Sequence, residues 1–265
     1  MTASSLQKAR ADQTDTSPRL DIQGRIATVS LRHPTRGNRL SPADLDTLRR
    51  HLDTVNARSE VLVLRFVASG KYFCSGYDIS SLASEEAPSS LYFGETIDLV
   101  EVARPITIAA IQGGAYGGGT DLCLACDFRI GTPQANMFMP AARLGLHFYP
   151  GGMLRYLSRL GVNAAKRLFL TAEKIQAEEM LRIGFLTELV SAKELSARVD
   201  ALSVQLAGMA PLALLGIKQD LNRMIKGTLD LEANARAVRR SEASEDMKEG
   251  ALAWKEKRTA HFQGA

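Results

Sequence analysis

The sequence predicts an α/β fold, with parallel strands in the front of the chain and helices in the rear. Three observations predict it. Ahead of residue 163, apolar runs of strand length alternate with amphipathic stretches of helix length, the pattern of parallel strands joined by right-handed crossovers. The run Ile106-Thr-Ile-Ala-Ala-Ile111 reads as a fully buried strand. From Asn163 onward the apolar residues recur with a helical period.

The elements follow in order. Ile26–Leu31 is a strand, and His33-Pro34 turns the chain after it. Ser41-Pro42-Ala43-Asp44 opens a helix: Ser41 is its N-cap, Pro42 its first helical residue and Asp44 an early acid. Leu45, Leu48, Leu52 and Val55 give that helix one apolar face. Residues 61–66 form the next buried strand, which leads into a turn at Gly76. Residues 80–90 are small and acidic without an apolar period, and read as a mobile loop over a site. Residues 91–102 form a helix that returns the chain to Pro105 and the strand Ile106–Ile111. Residues 122–127 start a compact helix-like stretch, and Phe128–Gly131 is a short strand. Behind these, residues 177–183 form a helix, and Ser191-Ala-Lys-Glu194 is a capping box that opens another. Residues 212–225 form a further amphipathic segment.

Composition narrows the function. With 45% hydrophobic and 23% charged residues, the chain reads as an ordinary globular protein. No apolar stretch approaches the ~20 residues a membrane helix needs, so no membrane partner is expected. The net charge of +4 is spread along the chain. No basic–aromatic cluster points to nucleic acid, and a mild positive excess suits an anionic ligand. Three cysteines and no apolar leader fit a reducing, cytoplasmic setting. Cys123 and Cys126 form a CxxC that reads either as a metal or redox pair or as two small core residues. No His/Cys/carboxylate cluster has metal-ligand spacing. Residues 1–18 are polar and read as a disordered extension.

The chemistry starts at Gly117-Gly118-Gly119, between a buried strand and a helix-like stretch. Glycines there let backbone approach a ligand and aim N–H groups at it, as a developing oxyanion requires. A second strand-to-glycine turn, Phe73-Cys-Ser-Gly76-Tyr77-Asp78, lies about forty residues earlier. Other markers are Arg36-Gly-Asn38-Arg39-Leu40-Ser41, Leu144-Gly145, Leu170-Thr-Ala-Glu-Lys-Ile175, Gly184-Phe-Leu-Thr-Glu-Leu-Val190 and Glu256-Lys257-Arg258. In this order and spacing they resemble the crotonase-fold proteins of the enoyl-CoA hydratase/isomerase superfamily, over residues 20–262.

The resemblance implies a crotonase-like ββα spiral core over residues 19–205. It also implies a C-terminal helical trimerisation region over residues 206–265. It implies an acyl-CoA thioester substrate, with coenzyme A arriving as part of it and no permanently bound cofactor. The assembly it implies is a homotrimer or a dimer of trimers. The backbone amides of Tyr77 and Gly118 would bind the thioester oxygen and stabilise an enolate. Arg36, Asn38, Arg39, Cys74, Gly76, Asp78, Gly117, Ala141, Trp254 and Lys257 would contact the coenzyme or substrate.

Hydratases of that superfamily orient one water with two glutamates. The first falls at Asp121, and the second at Ala141, which cannot transfer a proton. Asp121 therefore reads as an acid or base, or as a helix N-terminal acid complementing the dipole. His147 and Tyr149, in the segment that lines the family's acyl pocket, read as proton-transfer groups or as aromatic wall. Histidine as a residue type titrates near neutrality. Three functions follow: an enoyl-CoA hydratase-like lyase; a divergent decarboxylase, C–C hydrolase or isomerase on the same enolate; or a catalytically silent CoA-binding protein.

Overall fold

The computed structural model describes residues 16–78 and 89–265. The loop expected over residues 80–90 and the extension expected over residues 1–18 lie, but for their last residues, outside the described residues. The chain begins with a hairpin of β1 (Arg19–Gln23) and β2 (Ile26–Leu31), followed by α1 (Pro42–Ala57). Then come β3 (Val63–Ala68), β4 (Tyr72–Cys74) and α2 (Ser90–Glu101). The same order repeats in β5 (Ile106–Ile111), β6 (Gly114–Tyr116) and α3 (Gly118–Ala125). It repeats again in β7 (Phe128–Gly131), β8 (Asn136–Phe138) and α4 (Pro150–Thr171). Each ββα turn sends its first strand to a six-stranded sheet of order β1-β2-β3-β5-β7-β10. Its second strand goes to a four-stranded sheet, β4-β6-β8-β9. Here β9 is Ile175–Gln176 and β10 is Glu188–Leu189, flanking α5 (Ala177–Arg182). The repeating strands pair in parallel in both sheets, so successive turns stack as a spiral.

Why β5 is apolar at all but one position is visible in its surroundings. Ala109 and Ile111 face one core with Leu45, Leu48 and Leu52 of α1 and Ile97 of α2. Ile106, Ile108 and Ala110 face a second core completed by α6 (Leu195–Ala207). A strand covered on both faces reads as a near-continuous apolar run, and its one polar residue, Thr107, is buried with its hydroxyl donating to Asp127 Oδ2 at 2.9 Å. The expected boundary at residue 205 falls inside α6, whose Leu206 still packs on the second core. Next comes α7 (Pro211–Ile225), whose Leu214 and Leu215 also pack against that core, followed by α8 (Leu231–Glu242) and α9 (Glu245–Glu256).

Local chemistry sets the helix ends. Ser41 and Asp44 form a reciprocal capping box on α1, with bonds of 3.3 and 2.9 Å. The Ser191–Glu194 pair acts differently from a helix cap. Glu194 accepts from the Ser191 N–H at 3.1 Å, but α6 starts after it, so the pair ties the preceding turn. Two helices begin earlier than their periodicity suggests. α4 starts at Pro150 rather than near Asn163, and breaks at Gly161 into two helical halves. α3 starts at Gly118, so the glycine triplet is the N-cap and first turn of a helix rather than a linker.

Cys74, Cys123 and Cys126 are free and fully buried. Burial pushes the thiols of Cys74 and Cys126 up to about 12. This favours the small-core-residue reading of the CxxC. All three should resist a thiol reagent such as DTNB until the protein is denatured, because the thiolate is the reacting form. Fast labelling of native protein would contradict this burial. Ser41→Ala should lower unfolding stability by about 1 kcal/mol, measured by urea denaturation.

Candidate active site

Two glycine turns meet at one cavity. A Cβ placed on Gly76 would stand 2.8 Å from both the Gly118 nitrogen and the Tyr116 carbonyl oxygen. Gly76 has φ +94°, and Gly117, the α3 N-cap, has φ 51° and ψ −124°. Both conformations favour glycine. Gly119 packs on the other side of the same junction, where a Cβ would lie 2.2 Å from the Cys74 carbonyl oxygen. The end of β4 and the start of α3 are therefore locked backbone to backbone.

That junction orients two amides. Leu40 and Tyr77 form a parallel bridge in which Leu40 N–H donates to Gly76 O at 2.8 Å and Asp78 N–H donates to Leu40 O at 2.9 Å. Alternation along an extended strand turns the Tyr77 N–H to the opposite side. Gly118 is the first residue of α3, so its N–H has no carbonyl within the helix to donate to. Both residues line a cavity of about 360 Å³.

The cavity wall is largely aromatic and apolar. Tyr77, Phe93 and Tyr149 follow one another at centroid spacings of 5.6 and 6.3 Å, and Phe148 stacks on Tyr149 at 4.2 Å. Ala141 and Leu146 complete it. His147 lies at the exposed rim, and its Nδ1 is 2.9 Å from the Phe148 carbonyl. A carbonyl accepts only, so Nδ1 carries the proton of that bond, and in the neutral ring of that tautomer Nε2 is the acceptor. Among the described residues lining the cavity, Asp78 is the single carboxylate, and it pairs with Arg39 at 3.2 Å.

Asp121 lies behind this wall. It is fully buried, and Arg155 grips it with two bonds of 2.7 Å. The Tyr149 hydroxyl donates to its Oδ2 at 2.6 Å. Burial, then the neighbouring Asp121 charge, pushes the Tyr149 phenol well above its ordinary value and keeps it protonated. Arg155, itself 1% exposed, also donates to Asp98 at 2.7 Å and Glu101 at 3.3 Å on α2. Glu101 in turn pairs with Lys226 at 2.7 Å, just beyond α7. Arg155 is a residue the motif reading missed. Its signal is a charge set among Met153, Leu154, Tyr156 and Leu157, since a charge in an apolar stretch is seldom buried unless paired.

The remaining expected ligand contacts divide. Gly76, Gly117, Gly118, Tyr77, Asp78, Arg39, Ala141, His147 and Tyr149 come together at the junction and its cavity. The side chains of Asn38 and Cys74 are turned into the protein instead. Asn38 is 2% exposed and donates to Ser69 O and Tyr72 O, while Cys74 belongs to the core. Arg36 is exposed outside the cavity lining. Trp254 on α9 is 87% exposed, and Lys257, its left-handed C-cap, is also exposed. Neither lines this cavity within one chain.

Comparison with known proteins identifies the family. The profile of the family described as Enoyl-CoA hydratase/isomerase matches residues 21–265. A crotonyl-CoA hydratase of Syntrophomonas wolfei is 31% identical over 250 residues, covering 92% of this chain and 96% of the relative. A short-chain-enoyl-CoA hydratase of Clostridium acetobutylicum is 30% identical over 246 residues, covering 90% and 94%. The crystal structure of an enoyl-CoA hydratase from Bacillus anthracis superposes with a TM-score of 0.83 at 28% identity, covering 94% of this chain and all of that one. The chain belongs to the enoyl-CoA hydratase/isomerase family and is an enzyme of its hydratase-like, acyl-CoA-acting class.

Asp121→Leu should cost about 3–5 kcal/mol of unfolding free energy, because it leaves part of a buried guanidinium unpaired. Adding Arg155→Met should recover much of that loss. Urea denaturation of the two variants checks it, and strict additivity of the two losses would contradict the pairing.

Proposed function

We propose that this protein holds the carbonyl oxygen of an acyl-CoA thioester between the N–H groups of Tyr77 and Gly118. On the enolate so stabilised it performs enoyl-CoA hydratase-like lyase chemistry. The observation that carries the reading is the contact of the two glycine turns, with Gly76 against the Gly118 nitrogen. It brings consecutive-turn amides to one cavity in a rigid setting. Each such preorganised donor is worth roughly 3–4 kcal/mol to a developing oxyanion.

In the hydration direction, water oxygen bonds to C3 of the enoyl thioester. The C2=C3 π electrons pass through C2–C1 onto the carbonyl oxygen. One water proton goes to the His147 Nε2, the other stays on the new C3 hydroxyl, and as the enolate collapses C2 takes the first proton back from that Nε2. Dehydration runs the same steps backwards. Tyr149 helps to hold the water through its phenol oxygen, and Asp121 holds Tyr149 rather than touching substrate. The activities named for the relatives, hydration of short-chain enoyl-CoA and of crotonyl-CoA, support this choice of reaction.

Arg39 and Asp78, which line the cavity, and the exposed Arg36 suit the coenzyme portion. Trp254 and Lys257 suit the coenzyme of a neighbouring copy, which fits a trimer or a pair of trimers. No single described helix is long and apolar enough to cross a membrane, and we read the setting as cytoplasmic. A second reading rests on Ala141. Its methyl group stands in the wall where the family places a carboxylate, which favours decarboxylation, C–C hydrolysis or isomerisation of a different acyl-CoA.

Loss of crotonyl-CoA enoyl absorbance tests the first reading. Turnover is expected, and His147→Ala should lower kcat about 100-fold with CoA affinity retained. No absorbance loss with CoA affinity intact would transfer the assignment to the second reading. Absence of turnover on every thioester tried would leave a silent binding protein.

A further inference from the structure

The cavity holds a polar group whose direction is set from behind. Tyr149 lines it, yet the phenol proton points away, donating to Asp121 Oδ2 at 2.6 Å. Asp121 has no exposure, and Arg155 occupies both of its oxygens. Arg155 is held in turn by Asp98 and Glu101, and Glu101 by Lys226 and Arg159. Tyr156, next to Arg155, bonds Thr120 on the same helix as Asp121. A phenol has one proton and two lone pairs. With the proton committed inward, what the oxygen can offer a ligand is acceptor capacity.

We infer that Arg155 and Asp121 are positioning residues that fix Tyr149 as a hydrogen-bond acceptor toward the acyl group, so that the site selects acyl-CoA thioesters carrying a donor at C3 over those carrying a carbonyl there. This rests on the proposed seating of the thioester at Tyr77 and Gly118. From that seat the aromatic wall runs through Phe93 to Tyr149, and C3 is two bonds beyond the thioester carbon. A C3 hydroxyl, or a water poised to add there, meets lone pairs as a donor. A C3 carbonyl meets them as a second acceptor and is disfavoured.

The polarity can be reversed without touching Tyr149. Asp121→Leu, a substitution of similar shape, removes the acceptor that holds the phenol proton inward and frees that proton for the cavity. Asp121→Leu/Arg155→Met removes the same acceptor. The double variant also removes the unpaired guanidinium, and with it the risk that the single variant fails to fold.

The test is calorimetric titration of 3-oxobutyryl-CoA and butyryl-CoA, two thioesters that differ at C3 by one acceptor. The more acidic C2 of the oxo compound favours it at the thioester seat in wild type and variants alike, so the reading is the change in the affinity ratio from its wild-type value. Both variants should shift the affinity ratio toward the oxo compound about tenfold, and adding Tyr149→Phe to the double variant should abolish the shift. A merely structural role would weaken both ligands alike. An unchanged ratio in folded variants overturns the inference while leaving the thioester seat intact. Failure of wild-type protein to bind butyryl-CoA overturns the seat itself, and the inference with it.

Discussion

Two peptide backbones cannot approach as closely as those at Gly76 and Gly118 if a side chain stands between them. A Cβ on Gly76 would overlap the peptide of the facing turn, and one on Gly119 would overlap the Cys74 carbonyl. This contact joins the small sheet to the start of α3. Phe93 then closes over Gly118 from α2, where a Cβ on that glycine would meet the ring at 2.5 Å. The aromatic wall, the direction of the two amides and the position of Asp121 one helical turn further on all depend on that approach.

Behind the wall, electrostatics takes over from packing. Asp98, Glu101 and Asp121 face Arg155, Arg159 and Lys226, three charges of each sign drawn from α2, α3, α4 and the end of α7. A buried ion of either sign is expensive unless paired and hydrogen-bonded. The cluster therefore constrains where these elements can sit relative to one another. Its energetic yield is modest beside an apolar alternative, but its geometry specifies which oxygen faces the phenol.

Much of the large sheet was legible because burial on both faces writes itself as a near-continuous apolar run, as in Ile106–Ile111, where Thr107 alone is polar. The strands of the small sheet were not. β4, β6 and β8 are three residues each, and β6 starts at a glycine and is flanked by two more. Their pairing comes from contacts between turns of the spiral, which no local pattern encodes. The start of α4 was hidden for a related reason. Gly151 and Gly152 weaken the helical signal, yet a Cβ on either would strike Asp98 or the Phe148–Tyr149 stack. In the site, spacing after the triplet located Asp121. Spacing could not reveal that Arg155, 34 residues later, would take both its oxygens, because that depends on how α4 crosses α3.

The chain has one tryptophan, Trp254, and it stands 87% exposed on α9. Indole emission from this protein is therefore a surface signal. It would be insensitive to melting of the spiral core and responsive to anything that covers the last helix. A fluorescence trace would follow the arrival of a neighbour or a ligand there, while the core, with its tyrosines and phenylalanines, would have to be watched by circular dichroism or calorimetry.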